Sequence, residues 1–339
     1  MLYLGLDVHI KRTSICVLDE NGKEILSREV MGRWPEVIAE VERIRDQALD
    51  RIAVCFEASC PSGFLHDELR KVASRVVVAN PSRVRLIFQS KRKNDRIDAR
   101  KLATLLFLDQ VPAAYVPGYD VRAWRQTIEY RSRLIAKRTR VKNEIRALLR
   151  AHGLPSPYKL WNRKGLEWLS GLEFKHGLTG LRLSLLLEEL LSLHQKVKLV
   201  ERALKQEADR RPGVRLLMTI PGVGIRTAEA LVAYIDDPHR FHDSKSIGAY
   251  FGLVPRLDSS AGRDRLGHIT KEGPGTGRRL LVEASWYAIR RSKKIGAFFD
   301  RIVNGDPDRR KIAIVATAHY LARVSLAMLK SGECFDEAA

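Results

Sequence analysis

The chain has 339 residues, and its 60 Lys and Arg against 40 Asp and Glu give a formal net charge of +20. Its 45% hydrophobic residues are enough for an ordinary core, which excludes a wholly disordered chain. The sequence has no apolar run of about 18 residues, no apolar stretch of the signal-peptide type and no Cys-x-x-Cys spacing. We therefore expect a reduced, cytoplasmic protein with no membrane span and no structural zinc.

Residues 1–115 are predicted to form an α/β domain. The chain order is a strand LYLGLDV, a hairpin TSICVLDENGKEILSREV, a helix Trp34–Ala48, a strand RIAVCFEA, a helix 64–73, a strand RVVVAN and a further helix. This order is typical of a mixed sheet of the RNase H type. A dinucleotide-binding domain would need Gly-x-Gly-x-x-Gly after its first strand, and LGLDVHIKR lacks it.

Residues 116–211 are predicted to form two long helices, either as an antiparallel hairpin or as an intermolecular coiled coil. Residues 121–164 include thirteen basic residues and only two acidic ones, which gives this stretch a net charge of +11. Basic residues at helical spacing favour a phosphate backbone, whose binding is driven by counterion release. A solvated helix face is the alternative, although such faces usually carry both signs of charge.

Residues 212–339 are predicted to form a mostly helical third domain. The sequence LLMTIPGVGIRTAEALVAYI has a helix–hairpin–helix pattern, in which Gly222 and Gly224 would let the backbone approach a phosphate. A plain tight turn is the alternative. The Gly- and Arg-rich segment 246–281 lacks a regular period, which indicates a functional loop. Helices are expected again at 278–291 and 310–329.

Four acidic residues lie at positions where a carboxylate would be buried or close to another carboxylate. Asp7 lies inside the first apolar strand, and Glu57 directly follows a buried one. Asp95 and Asp98 are three residues apart and would share one helix face. Such carboxylates repel each other unless divalent cations neutralise them, and oxygen ligands suit Mg²⁺ or Mn²⁺. Each acid taken singly could instead be a cap, an ion-pair partner or an ordinary helix residue.

The chain resembles, over essentially its whole length, the Piv/MooV-type DEDD transposases and DNA invertases of bacterial insertion sequences. The motifs that carry the resemblance are LGLDVHIKR, CFEAS, KRKNDRIDARKLATLL, LMTIPGVGIRTAEALVAYI and FGLVPRLDSSAGRDRLGHITKEGPGTGRRLL. The resemblance implies a RuvC-like N-terminal domain whose catalytic, metal-binding residues are Asp7, Glu57, Asp95 and Asp98. It also implies a catalytic serine in the C-terminal domain, which falls on Ser260.

Two departures from the family pattern affect these assignments. The family commonly continues the second acid as Glu-Ala-Thr-Gly, whereas this chain has Ser59 and Cys60 after Glu57-Ala58. Its serine is usually followed by Gly, whereas here Ala261 intervenes, so Ser259 stays an alternative to Ser260 as the nucleophile.

The resemblance further implies chemistry and partners. The serine would attack a DNA phosphodiester at a composite site, with strand exchange guided by a non-coding RNA that pairs with donor and target DNA, and the protein would act as a homo-oligomer, a dimer or a tetramer. The expected nucleic-acid contacts are Arg122, Arg125, Arg131, Arg133, Lys137, Arg138, Arg140, Lys142, Arg146, Gly222, Gly224, Arg256, Arg263 and Arg265. Besides transposition, three functions stay open: a DNA invertase, a RuvC-like nuclease that uses water, and a non-catalytic nucleic-acid-binding protein.

Overall fold

The computed structural model describes residues 1–48, 51–88, 95–260 and 263–338, and the side chains of residues 257–266 lie outside this description. The chain divides into two units, Met1–Arg122 and Ala123–Ala339. The first unit contains a mixed sheet with helices, and the second consists mostly of helices. The predicted succession of an α/β part and a mostly helical part is thereby confirmed.

The first unit contains a five-stranded sheet in the order β3-β2-β1-β4-β5. Its strands are β1 (Leu2–Val8), β2 (Arg12–Leu18), β3 (Glu24–Met31), β4 (Ile52–Glu57) and β5 (Arg75–Ala79). The pairs β1–β2 and β2–β3 are antiparallel, whereas β1–β4 and β4–β5 are parallel. The first and fourth strands are therefore neighbours, as we expect from the sequence.

Four helices of the first unit follow the predicted order: α1 (Trp34–Ala48), α2 (Ser62–Leu69), α3 (Pro81–Ile87) and α4 (Asp95–Phe107). Helix α2 ends at Leu69 rather than at the predicted Ala73. The reason is a tightening of the chain after Leu69, where the amides of Lys71 and Val72 bond the carbonyls three residues earlier.

The sheet of the first unit buries side chains on both faces. One face joins Leu4, Leu6 and Ile15 to Val37 and Val41 of α1. The other face carries Cys16, Ala53 and Cys55, and there helix α4 packs through Leu102 and Ala103. Strands buried on both faces read as continuous apolar runs, which is why the sequence locates β1 and β4 so clearly.

Nine helices are described in the second unit or at its start: α5 (Tyr119–Ala151), α6 (Arg163–Ser170), α7 (Gly177–Asp209), α8 (Pro212–Leu217), α9 (Ile225–Ile235), α10 (Ser246–Tyr250), α11 (Gly275–Arg291), α12 (Lys293–Val303) and α13 (Arg310–Ser331). Helices α6 and α12 were not expected from the sequence. Both nevertheless carry apolar residues at helical spacing, Leu166 and Leu169 in α6 and Ile295 and Phe299 in α12, so the signal was present in the sequence.

The two longest helices, α5 and α7, pack against each other within the chain. Leu134, Val141 and Ile145 of α5 share one buried cluster with Leu186 and Leu190 of α7. The helices run in opposite directions, because Arg131 near the start of α5 pairs with Glu201 near the end of α7 at 2.5 Å. The structure thus has the hairpin arrangement that the sequence leaves open.

The expectation that segment 246–281 is an irregular loop is wrong. The segment contains helix α10, an antiparallel hairpin of β6 (Pro255–Ser260) and β7 (Arg263–Ile269), and the first turns of α11, which begins at Gly275 rather than at Arg278. The two strands, PRLDSS and RDRLGHI, are dominated by polar residues. Their pairing depends on backbone hydrogen bonds, so the sequence has no alternation of apolar and polar residues that would predict these strands.

The segment Pro307–Ser331, which includes α13, is long and apolar enough to cross a membrane, and half of its most apolar window is buried inside the protein. Ala318, Leu321 and Ala322 of α13 belong to the same core cluster as Leu281 and Ala284 of α11. This packing is that of a core helix.

One acidic side chain is buried among the helices of the second unit. Glu229 of α9 is only 1% exposed, and Arg226 donates to both of its carboxylate oxygens at 2.9 Å. Burial outweighs this ion pair and raises the pKa of Glu229 to about 7. The folded protein therefore retains a proton at a pH where the unfolded chain has released it.

This proton makes folding stability depend on pH. Between pH 4.5 and about 7 the folded state binds more protons than the unfolded state, so the contribution of Glu229 to the free energy of unfolding falls as the pH rises. We expect Glu229→Gln to remove this decline, which is on the order of 1–3 kcal/mol. Chemical denaturation of both proteins at a series of pH values would measure it. A constant difference between wild type and variant across that window would contradict the prediction.

Candidate active site at the carboxyl ends of two central strands

Two of the four expected acids lie side by side on neighbouring strands. Leu6 of β1 pairs in register with Phe56 of β4, so that the residues that follow them, Asp7 and Glu57, are adjacent at the carboxyl ends of two parallel strands. Their side chains point to the face that carries Cys55, because side chains alternate along a strand. This is the face covered by helix α4.

A glycine lets helix α4 approach this face. A Cβ atom at Gly5 would lie 2.0 Å from the carbonyl oxygen of Ala99 and 2.4 Å from the amide nitrogen of Ala103. Gly5 is two residues before Asp7 and therefore on the same face of β1. The close approach brings the first turn of α4, which contains Asp95 and Asp98, over the strand end.

Three basic side chains contact these acids. His9 Nε2 lies 3.3 Å from Asp7 Oδ2 and 3.8 Å from Asp95 Oδ2. The guanidinium of Arg12 lies 2.7 Å from Asp95 Oδ2. One turn along α4 from Asp98, the ammonium group of Lys101 donates to Asp98 Oδ1 at 2.7 Å.

The four carboxyl groups act on one another electrostatically. The pKa of Asp7 is raised, mainly by burial and further by Asp95 and Asp98, while His9 opposes the shift. The pKa of Glu57 is raised by burial and then by Asp7 and Asp98. Like charges held this close disfavour the ionised forms of Asp7 and Glu57. The structure therefore brings together all four acids that the sequence singles out.

The donor atoms of this cluster fit a divalent cation. Ligand atoms of Asp7, His9 and Asp95 all lie within 4.8 Å of one another. Carboxylate oxygens are the ligands that Mg²⁺ and Mn²⁺ prefer, and a cation would relieve the repulsion that raises the pKa of Asp7 and of Glu57. The cluster is thus a candidate metal site.

Comparison with known proteins finds a transposase family in each of the two units. A family profile described as "Transposase", of the DEDD type, matches residues 4–153, and a second, described as "Transposase IS116/IS110/IS902 family", matches residues 214–300. The chain belongs to the IS110/IS116/IS902 family of DEDD transposases.

Two relatives of this family member are similar over most of their length. The transposase for insertion sequence element IS1111A of Coxiella burnetii is 29% identical over 86% of this chain and 78% of its own. The transposase for insertion sequence element IS1328 of Yersinia enterocolitica is 27% identical over 84% of this chain and 85% of its own.

The expected serine lies in the β6–β7 hairpin. Ser260 is the last residue of β6, and its partner in the ladder is Arg263, the first residue of β7. Ser259 is opposite Asp264. The side chains of both serines, of Arg263 and of Arg265 lie outside the described residues, so the choice between Ser259 and Ser260 stays a prediction.

The two glycines of the expected helix–hairpin–helix differ in their surroundings. Gly222 has a φ of +90°, and a Cβ there would lie 2.5 Å from the amide nitrogen of Ala288, so this glycine packs against the backbone of α11. Gly224 precedes the first residue of α9, and a Cβ there would meet no atom within 4 Å. Of the two, Gly224 is the one with an open approach.

Three of the expected nucleic-acid contacts on α5 are engaged within the protein. Arg122 donates to Asp67, and Arg131 donates to Glu201. Arg125 donates to the backbone carbonyls of Ala233 and Tyr234. Part of the basic composition of α5 is therefore used in ion pairs and hydrogen bonds within the protein.

His9, Arg12 and Lys101 are site residues that were not expected from the sequence. Two of them had a usable signal: His9 is two residues after Asp7, and Lys101 is three after Asp98, so strand and helix periods place each beside an acid. For Arg12 no such spacing exists, because the turn between β1 and β2 brings it back to the site.

Because α4 depends on the absence of a side chain at Gly5, we expect Gly5→Ala to displace this helix. Overpacking of this kind destabilises by about 1–3 kcal/mol or more, and here it would also move Asp95 and Asp98 away from Asp7. Gly118→Ala is the matched control, since a Cβ there meets nothing within 4 Å. Thermal unfolding and Mn²⁺ titration of both variants would check this. Equal stability of the two variants would contradict it.

Proposed function

We propose that this protein is a metal-dependent DNA transposase whose Asp7, Glu57, Asp95 and Asp98 form one catalytic site for Mg²⁺ or Mn²⁺. The convergence of these four carboxyl groups at the carboxyl ends of the central strands β1 and β4 carries the proposal. The strand order β3-β2-β1-β4-β5, with three antiparallel strands followed by two parallel ones, supports a RuvC-like domain of the RNase H type.

A bound divalent cation would polarise the scissile phosphodiester and stabilise the charge that develops on its oxygens. The basic neighbours of the acids orient them for this task. Arg12 holds Asp95 and Lys101 holds Asp98, so that each carboxylate keeps one oxygen engaged and its orientation fixed. His9 bridges Asp7 and Asp95 from the solvent side, where half of its side chain is exposed.

We infer that Ser260 is the nucleophile. Its Oγ would form a bond to phosphorus, the bond between phosphorus and one sugar oxygen would break, and the serine proton would leave as the sugar hydroxyl forms. Arg256, Arg263 and Arg265 would hold the phosphate by charge-assisted hydrogen bonds. The family resemblance supports this role. So does the position of Ser260 at the tip of a two-stranded hairpin rich in arginine.

Donor and target DNA are the proposed substrates, and a non-coding guide RNA is the proposed source of target choice. The charge of +20 supports a polyanionic partner. On α5, Arg133, Lys137, Arg138, Arg140, Lys142 and Arg146 are the proposed contacts. In the second unit, the turn from α8 to α9 is proposed to bind phosphate as a helix–hairpin–helix, with Gly224 at its open side. We further propose a cytoplasmic homo-oligomer.

Loss of one carboxylate should abolish catalysis and leave nucleic-acid binding intact. In Asp7→Asn the metal loses a ligand, while the repulsion between the site and phosphate decreases. Strand exchange and Mn²⁺ binding by calorimetry would be measured beside Asp109→Asn, an exposed acid of the same unit that pairs with Arg75. Full recombination by Asp7→Asn would overturn the metal-site assignment.

Replacement of the serine distinguishes the proposed transposase from a nuclease that uses water. We expect Ser260→Ala to eliminate recombination together with any SDS-resistant protein–DNA adduct, and Ser259→Ala to be milder. Mass spectrometry of the adducted peptide would identify the linked residue. An adduct on Ser259 would reassign the nucleophile. Continued cleavage by Ser260→Ala without an adduct would favour the nuclease.

A further inference from the structure

A group of basic side chains spans the helices α5 and α7. Arg138, Lys142 and Arg146 occupy successive turns of α5, one every four residues and about 6 Å apart along the axis. His194 and Lys198 occupy successive turns of α7. The two helices pack against each other through the buried cluster that contains Val141, Ile145, Leu193 and Val197, and Lys142 and Arg138 of α5 act electrostatically on His194 of α7.

A tryptophan holds part of this group in position. Lys142 Nζ lies 4.9 Å and the guanidinium carbon of Arg146 lies 5.1 Å from the centroid of the Trp161 ring. Trp161 itself packs on the buried cluster between α5 and α7. Cation–π contacts of this kind restrict the two side chains before any ligand binds. The rotamer entropy that binding would otherwise cost is thereby reduced.

The charges of this group are not neutralised by acids. Among the described residues, no carboxylate forms an ion pair with Arg138, Lys142, Arg146 or Lys198, whereas Arg131 on the same helix has Glu201. The pKa of Lys142 is lowered by burial and then by Arg138 and Arg146. The pKa of His194 is likewise lowered by burial and by three neighbouring cations. Partly buried like charges without a counter-charge cost free energy, which a bound anion would recover.

We propose that Arg138, Lys142, Arg146, His194 and Lys198 form one preorganised site, across α5 and α7, for the phosphate backbone of a nucleic acid. The proposal rests on the proposed function and makes it specific: the contact is a built site on two helices rather than a general attraction to α5. His194 and Lys198 add the second row, which the basic composition of α5 does not include.

The chemistry of the group favours phosphates over bases. The cations on α5 are spaced by helical turns and form a row that can follow one strand of the ligand. Lys is a compact point charge without preferred acceptor geometry, which suits phosphate oxygens more than base edges. The face of Trp161 is taken by two cations of the protein. Binding at this site should therefore be independent of sequence and strongly dependent on salt.

The test compares two double variants with equal loss of charge. Lys142→Gln with Lys198→Gln removes one cation from each row. Lys196→Gln with Lys205→Gln removes two exposed cations of α7 that do not belong to the group. Affinity for a labelled RNA duplex and for a DNA duplex of equal length would be measured over a range of salt concentrations. We expect the first variant to flatten the log–log salt slope by about two units, for at least one duplex, and the second by less than one.

Charge-preserving and spectroscopic measurements complete the test. Lys142→Arg with Lys198→Arg should keep the wild-type slope, which separates charge from folding. Addition of the tighter-binding duplex should shift the indole N–H resonance of Trp161, assigned with Trp161→Phe. Equal slopes for the two Gln variants, or an unmoved Trp161 resonance, would overturn the site while nucleic-acid binding stands. If the wild type binds neither duplex, the site and the nucleic-acid part of the proposed function both fail.

Discussion

The close approach of helix α4 to strand β1 is the constraint on which the candidate active site depends. Asp7 and Glu57 are placed by the sheet, since β1 and β4 are parallel neighbours in register. Asp95 and Asp98 belong to a helix, and they reach the same point only because Gly5 leaves room for the backbone of Ala99 and Ala103. One missing side chain thus joins two parts of the sequence that are about ninety residues apart.

The cost of grouping four acids is met by placing cations beside them. His9, Arg12 and Lys101 come from the strand end, the following turn and the helix itself. Burial and mutual repulsion still raise the pKa of Asp7 and of Glu57. A divalent cation, as we propose for this site, would relieve the repulsion that remains.

The basic residues of α5 divide into two classes. Arg122, Arg125 and Arg131 have partners inside the protein, and the first and last of them pair with acids. Lys142 and Arg146 have each other as cationic neighbours and the ring of Trp161 beside them. A count of charges along the chain cannot separate the two classes, because the partners Asp67 and Glu201 are 55 and 70 residues away in sequence.

The sequence by itself determined that a mixed-sheet part precedes mostly helical ones, together with most elements of the first unit, because buried strands and amphipathic helices carry strong local patterns. It also singled out the four acids. It also carried the family resemblance, which the comparisons confirm at the level of the IS110/IS116/IS902 transposases. Only the tertiary structure decided that the segment around Ser260 is a hairpin, that Gly222 packs on α11, and that His9, Arg12 and Lys101 surround the acids. These features depend on backbone pairing and on contacts between distant residues, and neither leaves a period in the sequence.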